Sequence, residues 1–349
     1  MVIETDFSFA QAIPGLEGRK VVEAIDLLGP LRPLVGPKPE DPNQHAKRKW
    51  RGRGFNLIWR PNFGSQFGPK CFFLQLNLTE EELDFTEITG TGIANRSLFE
   101  PTITLGGIAY IQAIKDSFDQ TGQHFEPGVW AYVPKTANPK EPSTVVRMGS
   151  IPHGTTINLQ GTAADPVMTK PTFRPASITP FVGNHDDGET GLIPHPFEED
   201  FSKDNNLSRT DKNRLPGLTR DHLKNPNLFL SDALVNQTVL STMVLKLSSN
   251  TKLGCSVPDV GGGTANIASL TGKGDVHTGG GPNAAAPVVS ATFWIEEVRD
   301  SDGAEFVQLQ YSQRVLLNFE GASWPHITVA TLRPVCAPLR DPSDGCTTS

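Results

Sequence analysis

Residues Glu305–Phe319 read EFVQLQYSQRVLLNF. Alternation places Val307, Leu309, Tyr311, Val315, Leu317 and Phe319 on one face together with Gln313. Phe306, Gln308, Gln310, Ser312, Arg314, Leu316 and Asn318 fall on the other. A period of two with one apolar and one largely polar side is the signature of a strand in an antiparallel sheet that is covered on a single face. The expectation is therefore a buried side and a mainly wet side for this strand.

The same period recurs along the chain. Runs at Trp50–Trp59, Cys71–Leu78, Glu82–Ile88, Thr102–Ile114, His124–Val133, Thr144–Ile151 and Thr155–Gln160 precede a gap, and Thr238–Leu247, Val288–Val298, Glu305–Phe319 and His326–Leu332 follow it. Helical signals are few: Glu17–Leu28 groups Val21, Ala24, Ile25 and Leu28, and Asn225-Pro226 reads as a cap and first-turn proline ahead of Leu228–Val235. Without strand-helix-strand alternation, a doubly wound parallel sheet is disfavoured. The fold class expected is mainly β, a closed antiparallel β-barrel of about ten or eleven strands with a few short helices and two long loop insertions. The 33 glycines and 29 prolines among 349 residues suit such a fold of short elements and turns.

This reading divides the chain into a helix-containing arm at 1–45, one barrel domain at 46–334 and a tail at 335–349. The barrel carries insertions at 163–235 and 254–287, the second containing Gly261-Gly262-Gly263 and Gly279-Gly280-Gly281. Eleven strands closed on themselves leave an interior wider than side chains alone fill, so a ligand cavity is expected.

Composition excludes several classes. The net charge of −7 argues against broad phosphate-backbone binding, although Lys47-Arg48-Lys49 to Arg51-Gly52-Arg53 is locally basic, so nucleic acid is not expected as a partner. No apolar stretch reaches the roughly 18 residues of a spanning helix, so no membrane partner is expected. Cys71, Cys255, Cys336 and Cys346 form no C-x-x-C pair, which fits a reducing, cytoplasmic compartment. Asn184-His185-Asp186-Asp187-Gly188-Glu189 is polar but matches no calcium loop, and no G-x-S-x-G elbow is present. A closed barrel hides its strand edges, so a monomer suffices, and a homodimer is compatible.

The last strand candidate points to a site. In Ser323–Leu332, His326 shares a face with Trp324, Thr328, Ala330 and Leu332, and the small Thr328 and Ala330 leave room for a flat group beside the imidazole. Pro325 suits a strand start. A hydrogen-bonded core histidine would give the same pattern.

Four motifs in order give the chain a resemblance to the nitrobindin-like haem β-barrels, relatives of the lipocalin and fatty-acid-binding barrels. Trp50-Arg51-Gly52-Arg53-Gly54 is similar to the family's opening G-x-W-x-G-x-G, with Arg48 where the first glycine would be. His124-Phe125-Glu126-Pro127-Gly128 resembles its histidine-glutamate-glycine strand, and Ser150-Ile151-Pro152-His153-Gly154 its turn, with histidine and proline exchanged. Pro325-His326 through Ala330, Leu332 and Arg333 resembles its final strand, with the alanine one position further from the histidine. The resemblance implies one b-type haem held through His326 as axial iron ligand, and chemistry on small oxidants or gases: peroxynitrite, nitric oxide or peroxide.

Around that iron, His153 is a candidate distal acid/base and Arg147 a candidate stabiliser of an anionic intermediate, either as peroxynitrite isomerase or as peroxidase. Trp324, Thr328, Ala330 and Met148 are candidate cofactor contacts. Each also has a plain structural reading: a rim histidine, an arginine on an open sheet face, core fillers. His124 and Glu126 alternate onto one face and can pair. The alternative function is a haem-free lipocalin-like carrier, or a cofactor-free enzyme, for an apolar small molecule.

Overall fold

The computed structural model describes residues 26–41, 44–62, 72–88, 93–95, 102–138, 140–182, 215–249 and 285–335. Its strands are β1 (Lys47–Pro61), β2 (Phe72–Glu87), β3 (Ile93–Asn95), β4 (Ile103–Asp116), β5 (Gly122–Val133), β6 (Thr144–Ser150), β7 (Thr156–Ala163), β8 (Thr238–Ser248), β9 (Ala285–Arg299), β10 (Glu305–Phe319) and β11 (Ala322–Pro334). All pairs are antiparallel. β11 pairs with both β1 and β10, and β2 pairs with β4, so ten strands close into a barrel and the short β3 lies on β4 outside the ring.

Two differences from the sequence reading have physical causes. Cys71–Leu78 and Glu82–Ile88 are one strand, because the polar Thr79-Glu80-Glu81 between them does not break it: Glu81 points into the lumen, where it is hydrogen-bonded. β11 begins at Ala322, which puts Pro325 three residues inside the strand rather than at its start. β1 pairs with β11 only as far as His326, so the missing donor of Pro325 costs no bond on that side.

The inward side chains form one core. Trp50, Phe85, Trp130, Phe293 and Tyr311 pack together with aliphatic residues from every quarter of the ring. Before β1, a 3-10 turn at Gly29–Leu31 and helix α1 (Arg32–Val35) close one end of the barrel. Leu28, Leu31 and Leu34 are buried there, Trp50 donates its indole N–H to the Leu34 carbonyl at 2.9 Å, and Arg32 bridges Asp26 and Glu87.

The outer face of β10 is not wet. Gln308 and Gln310 are fully buried, because the segment between β7 and β8 lies across the barrel exterior as a strap. It contains α2 (Arg220–Lys224) and α3 (Leu228–Ala233), and it buries Ile178, Leu215, Leu223 and Leu230 against Phe55, Leu57, Ile327 and Val329. Asn225 does not cap the second helix, which starts two residues beyond Pro226. Its side-chain oxygen instead accepts from the backbone N–H groups of Ala176 and Asn227, tying the two halves of the strap together.

Two residues of the basic run of β1 are paired with acids. Lys49 lies 3.1 Å from Glu82 and 3.4 Å from Asp84, and Arg51 lies 2.9 Å from Glu82, as cross-strand pairs with β2. No helix among the described residues is long and apolar enough to cross a membrane. The Glu17–Leu28 helix before Asp26, the Asn184–Glu189 loop, the glycine runs and all four cysteines lie outside the described residues.

The strap predicts its own weight in stability. Leu230→Ala removes a fully buried side chain from the outer core, and the expected loss is about 2–5 kcal/mol of unfolding free energy in a denaturant titration, with the far-ultraviolet β signal of the native state unchanged.

Candidate functional site

The lumen is unusually polar at mid-height. Arg147 of β6 points inward and is 2% exposed. Its guanidinium donates to Glu126 Oε1 at 2.8 Å, Gln313 Oε1 at 2.8 Å, Gln112 Oε1 at 3.3 Å and the Tyr110 hydroxyl at 3.2 Å. Tyr110, Trp130 and Phe293 place their rings around it, with centroids 5.4–5.7 Å from Cζ. Gln112 continues the network to the Tyr311 hydroxyl and to Glu81, and Tyr311 donates to Glu81 at 2.7 Å. Bonds thus run from β6 and β2 to β10, so side chains fill the middle of the barrel.

The two carboxyls of this layer are shifted in opposite directions. Burial alone would raise Glu126, but the Arg147 charge and the hydrogen bonds from His124 and Tyr110 outweigh it and hold the group at about 2. Burial dominates at Glu81, which is pushed up to about 7 despite the bonds from Tyr311 and Gln112. Burial likewise raises the Tyr110 and Tyr311 hydroxyls well above their ordinary value. Two glycines make room for the layer. A Cβ at Gly149 would collide with the Tyr110 hydroxyl and the Glu126 carboxylate, and one at Gly128 with the Tyr110 ring.

Beyond this layer, towards the end opposite α1, the lumen opens into a mouth lined by three imidazoles. His326 enters from β11. With Asn56 Oδ1 as an acceptor, its Nε2–H donates at 2.7 Å, and Thr328 donates to the same oxygen at 2.9 Å. Nδ1 has no hydrogen-bond partner among the described residues. The ring sits deep in the protein yet is only partly covered. Burial, with His124, His153 and Arg60 nearby, pushes its pKa down to about 3, so it is neutral at neutral pH.

His124 enters from β5, on the other wall, and donates from Nε2 to Glu126 Oε2 at 3.1 Å. His153, on the turn between β6 and β7, meets it edge to face with centroids 5.1 Å apart. Burial and then the His124 charge lower the pKa of His153, against the pull of Glu126.

The candidates read from sequence therefore separate. His326, Thr328 and His153 face the mouth. Arg147 is in the lumen but committed to the layer beneath it, not on an open face. Ala330 lies deeper, paired with Tyr311. Trp324 packs with Trp59, Phe72 and Phe319 in the outer cluster at the barrel end, its nearest rings being these rather than an imidazole. Met148 points outward and is 43% exposed, because its neighbours Arg147 and Gly149 take the inward positions. Asn56, Gln112, Gln313, Glu81 and Tyr311 were not singled out from sequence. Only the alternation of β10, which puts Gln313 among apolar residues, carried a signal for any of them. Among the described residues no group of three or more His, Cys, Asp or Glu side chains is placed to hold a metal ion.

No protein-family model matches the chain, and no curated protein does. Among solved structures, the crystal structure of Rv2717c from M. tuberculosis aligns over 89% of this chain and 98% of its own, at 13% identity and a TM-score of 0.35.

Two predictions follow from the charged layer. Glu81 has a folded pKa near 7 against 4.5 for the ordinary carboxyl, so its stabilising contribution is complete below the lower value and is lost as pH rises through the upper one. Glu81→Gln, which mimics the neutral acid, should gain on the wild type by about 2–3 kcal/mol between pH 5 and pH 9, read from thermal or denaturant unfolding at each pH. Arg147→Met strands a buried carboxylate and should cost about 3–5 kcal/mol. Adding Glu126→Gln to Arg147→Met should recover a large part of that loss in a double-mutant cycle.

Proposed function

We propose that the protein binds one b-type haem in the mouth half of the barrel through His326 and acts there on a small oxidant or gas. The observation that carries this reading is the state of His326: an imidazole kept neutral far below neutral pH, fixed by Asn56 through Nε2, with Nδ1 unpaired among the described residues and the residue only partly buried. A group with so low a pKa is a feeble base, whereas its lone pair stays available to a metal at every physiological pH. Orientation of a ligating histidine by a hydrogen bond to its other nitrogen is the usual second contact at such sites.

The residues present suit the group. Val289, Val315, Leu317 and Ile58 give the mouth apolar walls at strand positions next to His326, and the opposite wall carries His124 and His153. A bound haem would supply an iron whose open position takes peroxynitrite, nitric oxide or peroxide. The chain's own part is positional. Asn56 and Thr328 fix His326, Arg147 keeps Glu126 ionised, and Glu126 holds the proton of His124 Nε2. His153, with its lowered pKa, can accept a proton from a bound molecule at neutral pH.

A second reading rests on the filled middle of the barrel. Because Arg147 and its partners cross the lumen at mid-height, a molecule smaller than a macrocycle suits the space beyond them, as in a haem-free lipocalin-like carrier or cofactor-free enzyme. One titration separates the two. Addition of haemin to the purified protein should give a stoichiometric Soret band characteristic of a histidine-ligated iron. His326→Ala should abolish that spectrum, and Asn56→Leu should weaken binding by about 10–100-fold. A haemin titration without saturation, or a His326→Ala spectrum identical to wild type, overturns the haem assignment.

A further inference from the structure

The mouth has two unlike walls. Val315 stands beside His326 in the register and beside Val289 on its other side, and with Ile151 and Ile157 these residues are buried and apolar. The strands from β5 through β4, β2 and β1 carry hydrogen-bonding groups instead, and the last of them brings Arg60 to the rim.

Arg60 lies on the inner face of β1. It follows Asn56 and Ile58 at a period of two, and Ile58 is the partner of His326 in the register. The guanidinium lies over the ring of Phe73 on β2, with Cζ 5.8 Å from the centroid, and Nη1 donates to Gln75 Oε1 at 2.9 Å. Gln75 is itself held, because its Nε2 donates to Asn77 and to Gln123. The head group is therefore aimed along the rim although the residue is exposed. Its charge reaches both sides of the opening, since it acts on His326 and on His153. The other charges acting on His326 are those of His124 and His153, with no acid among them. The acids of the polar wall are committed elsewhere: Glu126 to Arg147 and His124, and Asp116 to Asn77 and to the backbone N–H groups of Phe118 and Asp119. A site with apolar walls and a few convergent polar groups selects a mainly apolar molecule and fixes its orientation. Here the polar group at the entrance is a cation.

We propose that the ligand of the mouth carries a carboxylate, which Arg60 receives at the rim while the apolar body of the molecule lies against Val289 and Val315. The planar fork of a guanidinium matches a carboxylate and stays charged at every physiological pH. The mouth is the site of the function proposed above, so this role of Arg60 rests on that reading of the site. The carboxylate has two possible sources there. With haem it is a propionate of the porphyrin, and with the second reading it is the head of a smaller apolar acid.

The test compares acids with their esters on the full chain: haemin against haemin dimethyl ester, read at the Soret band, and cis-parinaric acid against its methyl ester, read by fluorescence. One of the two acids should bind more tightly than its ester, and the acid that does so names the source. Arg60→Met should weaken that acid by about fivefold, the upper range for an exposed ion pair, and leave the ester unchanged. Arg60→Lys should recover most of the loss. Raising sodium chloride from about 20 mM to about 200 mM should weaken the acid and spare the ester. Equal affinity of acid and ester in both pairs overturns the proposal, and a Soret band that still depends on His326 then leaves the haem assignment standing. An equal loss of acid and ester in Arg60→Met marks a steric role and overturns it too, as does binding of neither acid. Failure of haemin together with an Arg60-dependent preference for parinaric acid supports the proposal and removes the haem.

Discussion

A single buried guanidinium sets the terms for the rest of the molecule. Arg147 cannot be neutralised by losing its proton, so enclosing it in a barrel requires that surrounding strands supply acceptors. Glu126 from β5, Gln112 and Tyr110 from β4 and Gln313 from β10 do so, and each of these is then committed to a rotamer and a direction. The register of the ring follows the same logic. A slip of one residue at β6 would place Met148 inside and Arg147 outside, stranding Glu126. The apolar core tolerates approximate packing better than this layer tolerates an unpaired charge.

The layer also defines where chemistry can occur. One end is closed by the turn and α1 over Trp50, and the middle is filled by the polar cross-links, so the remaining space is the mouth. Its three histidines are governed from below. Glu126 reaches up to His124, His124 acts on His153, and both act across the lumen on His326. The state of the mouth is therefore coupled to the same ion pair that secures the fold.

Much of this was legible in the chain and some was not. Alternation in Glu305–Phe319 and ten further runs is a strong signal for antiparallel strands, and closure is how strands with one apolar side and no covering helices avoid open edges. The inward direction of His326 follows from the same period. Alternation does not tell a wet outer face from one covered by a strap, because glutamines serve both, and Gln308 and Gln310 read as solvent residues although they are buried. It also reads a polar inward residue as a break, which is why Thr79–Glu81 divided β2. The partners of Arg147 lie 21 to 166 residues away in sequence and Asn56 lies 270 residues from His326, and single-sequence periodicity contains no register between strands.

The barrel therefore inverts the ordinary distribution in part of its wall. On β1 and β11 the inward residues include Asn56, His326 and Thr328, while the outward ones are Phe55, Leu57, Ile327 and Val329. Such strands would expose a hydrophobic exterior if the ring were bare. The strap is thus a condition for having a polar interior at this position: its leucines, from Leu215 to Leu230, supply the apolar surface that the lumen gave up to histidine and asparagine. An insertion between two hairpins does here what a second layer does in a sandwich, and it frees the inner face of β11 to carry His326.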